Sequence, residues 1–180
     1  MIMTYKECIE KFGNAYQVNK VMEAGFVYKI EEGIYSDNEF ESEAAVILKK
    51  YPKAVLTGEY AFYIHGLTDV IPDQYSLATE QKAAAIADKR VKQIYMRNDL
   101  LHLGEVEQIV DGAALRIYDK ERMLIELLRN KNKMPYDLYK EIIYNYRKII
   151  TELEIWRIQE YAEIFPKSKM IKKAWDEEVM

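Results

Sequence analysis

Apolar positions at helical spacing open the chain. Tyr5, Cys8, Ile9 and Phe12 share one face, and Thr4 with Glu7 has the form of a capping box, each side chain taking up the other's free backbone N–H. Gly13 then stands where a helix ends in left-handed backbone. Asn14 and Gln17 begin a second helix, with Val18, Val21 and Met22 as its apolar stripe and Gly25 as its stop. Next, Phe26, Tyr28 and Ile30 alternate with Val27 and Lys29 as in a half-buried strand. Glu31-Glu32-Gly33 makes a turn and Ile34-Tyr35 returns. This order predicts a small winged-helix-like head over residues 1–36, truncated by one helix.

A polar stretch from Ser36 to Glu39 leads into a third helix with Phe40, Ala44, Ile47, Leu48 and Tyr51 as its buried stripe, stopped by Pro52. The domain boundary is placed near residue 37, and residues 37–180 form the second domain. Strands are expected over 53–56, 75–78, 93–96, 106–109 and 114–118, with Asp111-Gly112 as a hairpin signal between the last two. Thr57 starts a helix over 57–64 that ends at His65-Gly66, and 99–103 is a short helical stretch. Asp119 caps Lys120–Arg129. Arg122, Glu126 and Arg129 are the single polar stripe of that apolar helix, which is expected to lie in the core with the stripe facing solvent. Helices over 136–150, 152–165 and 167–179 complete the chain, the second opened by a Thr151/Glu154 capping box and the third set off by Pro166. The fold class is therefore α+β: a winged-helix-like head followed by a mixed α/β domain with a helical C-terminus.

Composition narrows the function. One cysteine, Cys8, excludes an internal disulfide and fits a reducing compartment. It lies on the apolar face of the first helix, as a buried structural thiol does. Charges interrupt the first residues where a secretory leader needs an apolar run, and no uncharged apolar run is long enough to span a bilayer. The expectation is a cytoplasmic protein with no membrane partner. The net charge is −4, and only residues 120–180 are basic, with 13 cationic against 11 acidic side chains. Any nucleic-acid contact then has to come from local clusters or from a homodimer.

Catalytic patterns are missing. The chain has no phosphate-binding glycine loop, no dinucleotide fingerprint and no H-E-x-x-H. Cys8, His65 and His102 are one ligand short of a structural zinc site. His65 at a helix end suits a packed ring, where a positive imidazole would complement the helix dipole, and His102 is read the same way. Glu105-Val-Glu107 points two carboxylates to one strand face, as a magnesium site can, but no Gly-Ser turn accompanies it, and solvated charges are the better reading. No enzyme activity, cofactor or metal is expected.

With Val18 at the centre of the buried face, Tyr16, Gln17, Lys20 and Ala24 point outward from the second helix. Glutamine bonds adenine edges, lysine reaches guanine or phosphate, and tyrosine reaches phosphate. Lys29 in the hairpin can meet the backbone. Tyr16, Gln17, Lys20 and Lys29 are thus the candidate DNA contacts. Against them stands a plain solvated helix, because Glu23, Glu31 and Glu32 lie nearby and repel phosphate. Arg129, Lys131 and Lys133 make the most basic loop, a candidate phosphate or partner contact whose simpler reading is a solvated loop.

Two stretches resemble the AbiEi antitoxin family, the regulatory half of a type IV toxin–antitoxin (abortive infection) system: Tyr51-Pro-Lys-Ala-Val-Leu-Thr-Gly-Glu-Tyr-Ala-Phe-Tyr-Ile-His-Gly-Leu-Thr-Asp69 and Ile117-Tyr-Asp-Lys-Glu-Arg-Met-Leu-Ile-Glu-Leu-Leu-Arg129. Tyr16 to Tyr35 also resembles the second half of that family's winged-helix segment. The resemblance implies an N-terminal winged helix joined to an antitoxin domain. It implies repression of the protein's own promoter through inverted or direct repeats, and antagonism of a nucleotidyltransferase toxin without a stable complex. The chain departs from the family where Gly13 alone joins the first two helices, in place of a further helix that braces the reader. The alternative is an antitoxin or interaction protein that does not bind DNA and carries a vestigial head.

Overall fold

A computed structural model describes every residue, Met1–Met180. The fold is α+β, and the chain forms two compact units: Met1–Lys53 with Gln108–Leu115, and Ala54–Glu107 with Arg116–Met180.

The first unit begins with a strand, β1 (Ile2–Thr4), followed by helices α1 (Tyr5–Phe12) and α2 (Ala15–Glu23), strands β2 (Tyr28–Glu31) and β3 (Ile34–Ser36), and helix α3 (Glu43–Lys50). The Thr4/Glu7 capping box forms, and Asn14 caps α2 by accepting from the Gln17 N–H. The strand β1 has no sequence signature, since three residues are too few to show alternation. It pairs antiparallel with β3, which pairs with β2, giving the order β1-β3-β2. Met3, Cys8, Val18, Val27 and Tyr35 form the unit's core.

Three details differ from the sequence pattern. Val27 enters the core and Phe26 is 71% exposed. The Phe26 N–H still closes the end of α2 on the Val21 carbonyl, so strand alternation starts only at Tyr28. Phe40 is 85% exposed because α3 does not begin until Glu43, although Ala44, Ile47 and Leu48 are buried as expected. The compact unit also runs past residue 37 to Lys53, because α3 packs on β1 and β3.

The second unit is built on a five-stranded sheet, β6-β5-β4-β8-β7, although the hairpin end of β7 and β8, Gln108–Leu115, groups with the first unit. In chain order the elements are β4 (Val55–Thr57), α4 (Gly58–Ile64), β5 (Tyr75–Glu80), β6 (Val91–Met96), α5 (Asn98–Leu101), β7 (Glu105–Val110), β8 (Ala113–Tyr118), α6 (Lys120–Arg129), α7 (Tyr136–Lys148), α8 (Ile155–Ile164) and α9 (Ser168–Glu178). The strand β4 runs antiparallel to β5 and parallel to β8, with Leu56 opposite Ile117. Asp111 and Gly112 both take positive φ, as the tight hairpin between β7 and β8 requires. Helix α6 packs against α8 and α9, with Met123, Leu124 and Ile125 fully buried. The Thr151/Glu154 box does not form. Residues Ile150–Glu152 make a 3-10 turn, α8 starts at Ile155, and the Glu154 N–H is taken instead by the buried Glu121 carboxylate at 2.9 Å. No helix is long and apolar enough to cross a membrane.

Candidate functional site

Helix α2 lies with Val18 buried, while Tyr16, Gln17 and Lys20 are exposed, Tyr16 at 70%. The Asn14 cap fixes where the helix starts and therefore which side chains its first turn presents. Lys29 is exposed on β2, but its ammonium is 2.6 Å from the Glu32 carboxylate, which holds the lysine above its usual range. This cation is spoken for by the turn beside it. A solvent-exposed pair of this kind contributes little and is readily exchanged for another anion. Glu23 is also exposed on α2, at the far end from Gln17. Nearby, Lys49 pairs with Glu7 at 2.7 Å, which lowers the Glu7 pKa and steadies the first turn of α1.

The three cations of the basic loop have different fates. Arg129 lies 3.2 Å from Glu126 and stacks on Phe165. Lys131 pairs with Glu178 at 2.9 Å and sits over Tyr139. Lys133 alone is exposed without an ion pair. Two of the three therefore already have a carboxylate partner.

The polar stripe of α6 is the largest departure from expectation. Arg122 is fully buried, between the rings of Tyr118 and Phe165 at 4.4 and 4.1 Å. It donates to the Leu100 and Leu103 carbonyls and to Glu126 at 2.8 Å. Asp119, also buried, accepts from the Arg122 N–H and from the Tyr161 hydroxyl at 2.9 Å. Burial pushes the Asp119 carboxyl up, against the opposing pull of those two donors. Arg122 is buried and Glu126 and Arg129 are partly covered because α8 and α9 pack over α6 and bring Phe165 onto both arginines. On α6 alone, with no partner in view, the only polar line looks like the solvent side.

Beside this network a cavity of about 260 Å³ is lined by Ser76, Lys92, Met96, Met123, Glu126 and Lys133 among others. Neither histidine lines it, so Ser76 has no imidazole there to accept its proton. His102 is exposed and bonds Glu105, which places one member of the Glu105/Glu107 pair in a local contact. Cys8 is buried, and burial raises its thiol pKa, so the thiolate is disfavoured.

His65 packs its ring and donates from Nε2 to the Tyr118 carbonyl at 2.7 Å. The positive imidazole expected at this helix end is disfavoured: burial lowers its pKa below 6.5, outweighing the carbonyl. The folded-state pKa is depressed, so as pH falls through the ordinary histidine range the unfolded chain takes up its proton first, and stability is lost there. The thermal midpoint is expected to drop as pH falls through about 6.5, the ordinary histidine pKa, and His65→Gln is expected to flatten that drop. A midpoint with the same pH dependence in the variant would remove His65 as a cause.

No protein-family model and no curated protein matches the chain.

Proposed function

We propose that the chain is an antitoxin-type regulator that binds repeats in its own promoter through the first unit and antagonises a nucleotidyltransferase toxin without holding it in a stable complex. In this reading it works by recognition and carries no catalytic activity of its own. The observation that carries it is the element order β1-α1-α2-β2-β3 with sheet order β1-β3-β2. A winged helix has that connectivity, with the second of two turn-linked helices as the reader and the hairpin as the wing. In this reading α3, which follows the hairpin and packs on β1 and β3, takes the place of the helix missing from the sequence pattern. Exposed Tyr16, Gln17 and Lys20 on α2 then face the major groove, as residues near the start of a reading helix do. The likeness of residues 51–69 and 117–129 to the AbiEi antitoxins supplies the regulatory context, and promoter repeats call for a homodimer.

The Lys29–Glu32 pair and the acidic balance of residues 1–36, four cations against five carboxylates, favour the second reading, an antitoxin that leaves DNA alone. Binding of the full chain to its promoter DNA at low and moderate salt separates the two. The expected result is a specific complex that weakens as salt rises. Gln17→Ala with Lys20→Ala is expected to lower specific affinity by about tenfold or more, with little change in thermal midpoint. No complex at low salt would leave the second reading, and equal affinity of the double variant would remove α2 as the reader.

A further inference from the structure

The outer side of α7 carries a stripe that operator binding by the first unit does not use. Tyr136, Lys140, Tyr144 and Lys148 recur every four residues, a spacing that keeps them on one side of a helix. The opposite side, with Leu138, Tyr139, Ile142, Ile143 and Tyr146, is buried. Tyr136 and Tyr144 are 61% and 59% exposed. The Lys140 ammonium sits 4.5 Å from the centre of the Tyr136 ring, and that of Lys148 sits 4.2 Å from the Tyr144 ring. Each ring thus has a cation on it and most of its remaining surface in water.

Local charge is opposite to that of the whole chain. Between residues 131 and 148, Lys131, Lys133, Lys140, Arg147 and Lys148 face only Asp137 and Glu141. A hollow of about 300 Å³ lies along this side and includes Tyr136, Lys140, Tyr144 and Arg147 in its wall. Its one carboxylate, Glu178, is already held by Lys131 and by the Tyr139 hydroxyl at 2.8 Å.

We propose that this side of α7 binds single-stranded nucleic acid. Two rings about 12 Å apart along the helix axis offer stacking faces, and a lysine beside each offers a phosphate partner. Only a polyanion with unstacked flat bases uses both features. The bases of a duplex are already stacked on one another, so the rings add nothing to its binding. An acidic peptide would satisfy the lysines and leave the rings idle. The site is separate from α2 and does not depend on how the first unit acts.

The test uses the full chain and labelled oligo-dT and oligo-U of about twelve nucleotides, followed by fluorescence anisotropy. Binding of either oligomer is expected. Tyr136→Ala with Tyr144→Ala is expected to weaken binding by about tenfold or more, while the matching Phe variants keep it, since phenylalanine stacks as well. Lys140→Gln with Lys148→Gln is expected to make the slope of log affinity against log salt shallower by about 1.4. Gln17→Ala with Lys20→Ala should leave oligomer binding unchanged, which keeps failure of the promoter reading distinct from failure of this one. The proposal is overturned by no binding at low salt, by full affinity in the alanine variant with an unchanged thermal midpoint, or by equal competition from a duplex or from polyglutamate.

Discussion

Arg122→Ala is expected to be among the most damaging single substitutions in the second unit, lowering stability by about 3–5 kcal/mol. The substitution deletes a guanidinium that fills the space between Tyr118 and Phe165 and leaves the Leu100 and Leu103 carbonyls without their donor. It also takes one of two cations from Glu126, whose side chain is only 12% exposed. In a chain of this length, a loss of that size moves the thermal midpoint down by roughly 6–20 °C. Arg122→Lys is expected to recover little, because an ammonium has neither the fork that reaches carbonyl and carboxylate together nor the plane that stacks between rings. Arg122→Met with Glu126→Gln removes both charges and is expected to be milder than Arg122→Ala alone. A chemical-denaturation series measures all three. A loss below about 1 kcal/mol for Arg122→Ala would mean that α8 and α9 dock without this arginine.

Gly58→Ala is expected to cost about 2–5 kcal/mol, from two separable causes. Gly58 has φ +63°, where an alanine is strained by its own β-carbon. That carbon would also lie 2.7 Å from Ser76 Oγ and 2.8 Å from Ser76 Cβ, across the antiparallel pairing of β4 and β5. Ser76→Gly added to Gly58→Ala removes the collision and leaves the backbone strain, so it should restore part of the loss. Ser76→Ala keeps the β-carbon in place and should restore less. Equal stability of the three variants would show that the sheet yields at this point, and that backbone strain accounts for the whole effect.

Local chemistry was legible in the sequence wherever it closed within a few residues. The Thr4/Glu7 box, the Asn14 cap, the Asp111-Gly112 hairpin and the full extent of α6 all depend on neighbours in the chain. The candidate reader was legible for the same reason, since burial of Val18 by itself sends Tyr16, Gln17 and Lys20 outward. What could not be read depended on distant partners. The strand β1 exists because β3 pairs with it. The Thr151/Glu154 box lost to a carboxylate from α6. Arg122, read as the solvent edge of its helix, became an interior residue once Phe165 covered it. The α7 stripe went unread, because only the burial of the other side of that helix sets its four-residue repeat of tyrosine and lysine apart from an ordinary charged surface.

The first unit is assembled from two separate stretches of chain, residues 1–53 and 108–115. A gene fragment ending after residue 53 would encode its helices and its small sheet yet omit the hairpin tip that belongs with them. A single recombination junction therefore cannot exchange this unit for another one intact. Under the proposed promoter-binding function, changes of specificity in such an architecture accumulate by substitution along the exposed side of α2, with the rest of the chain inherited as one piece.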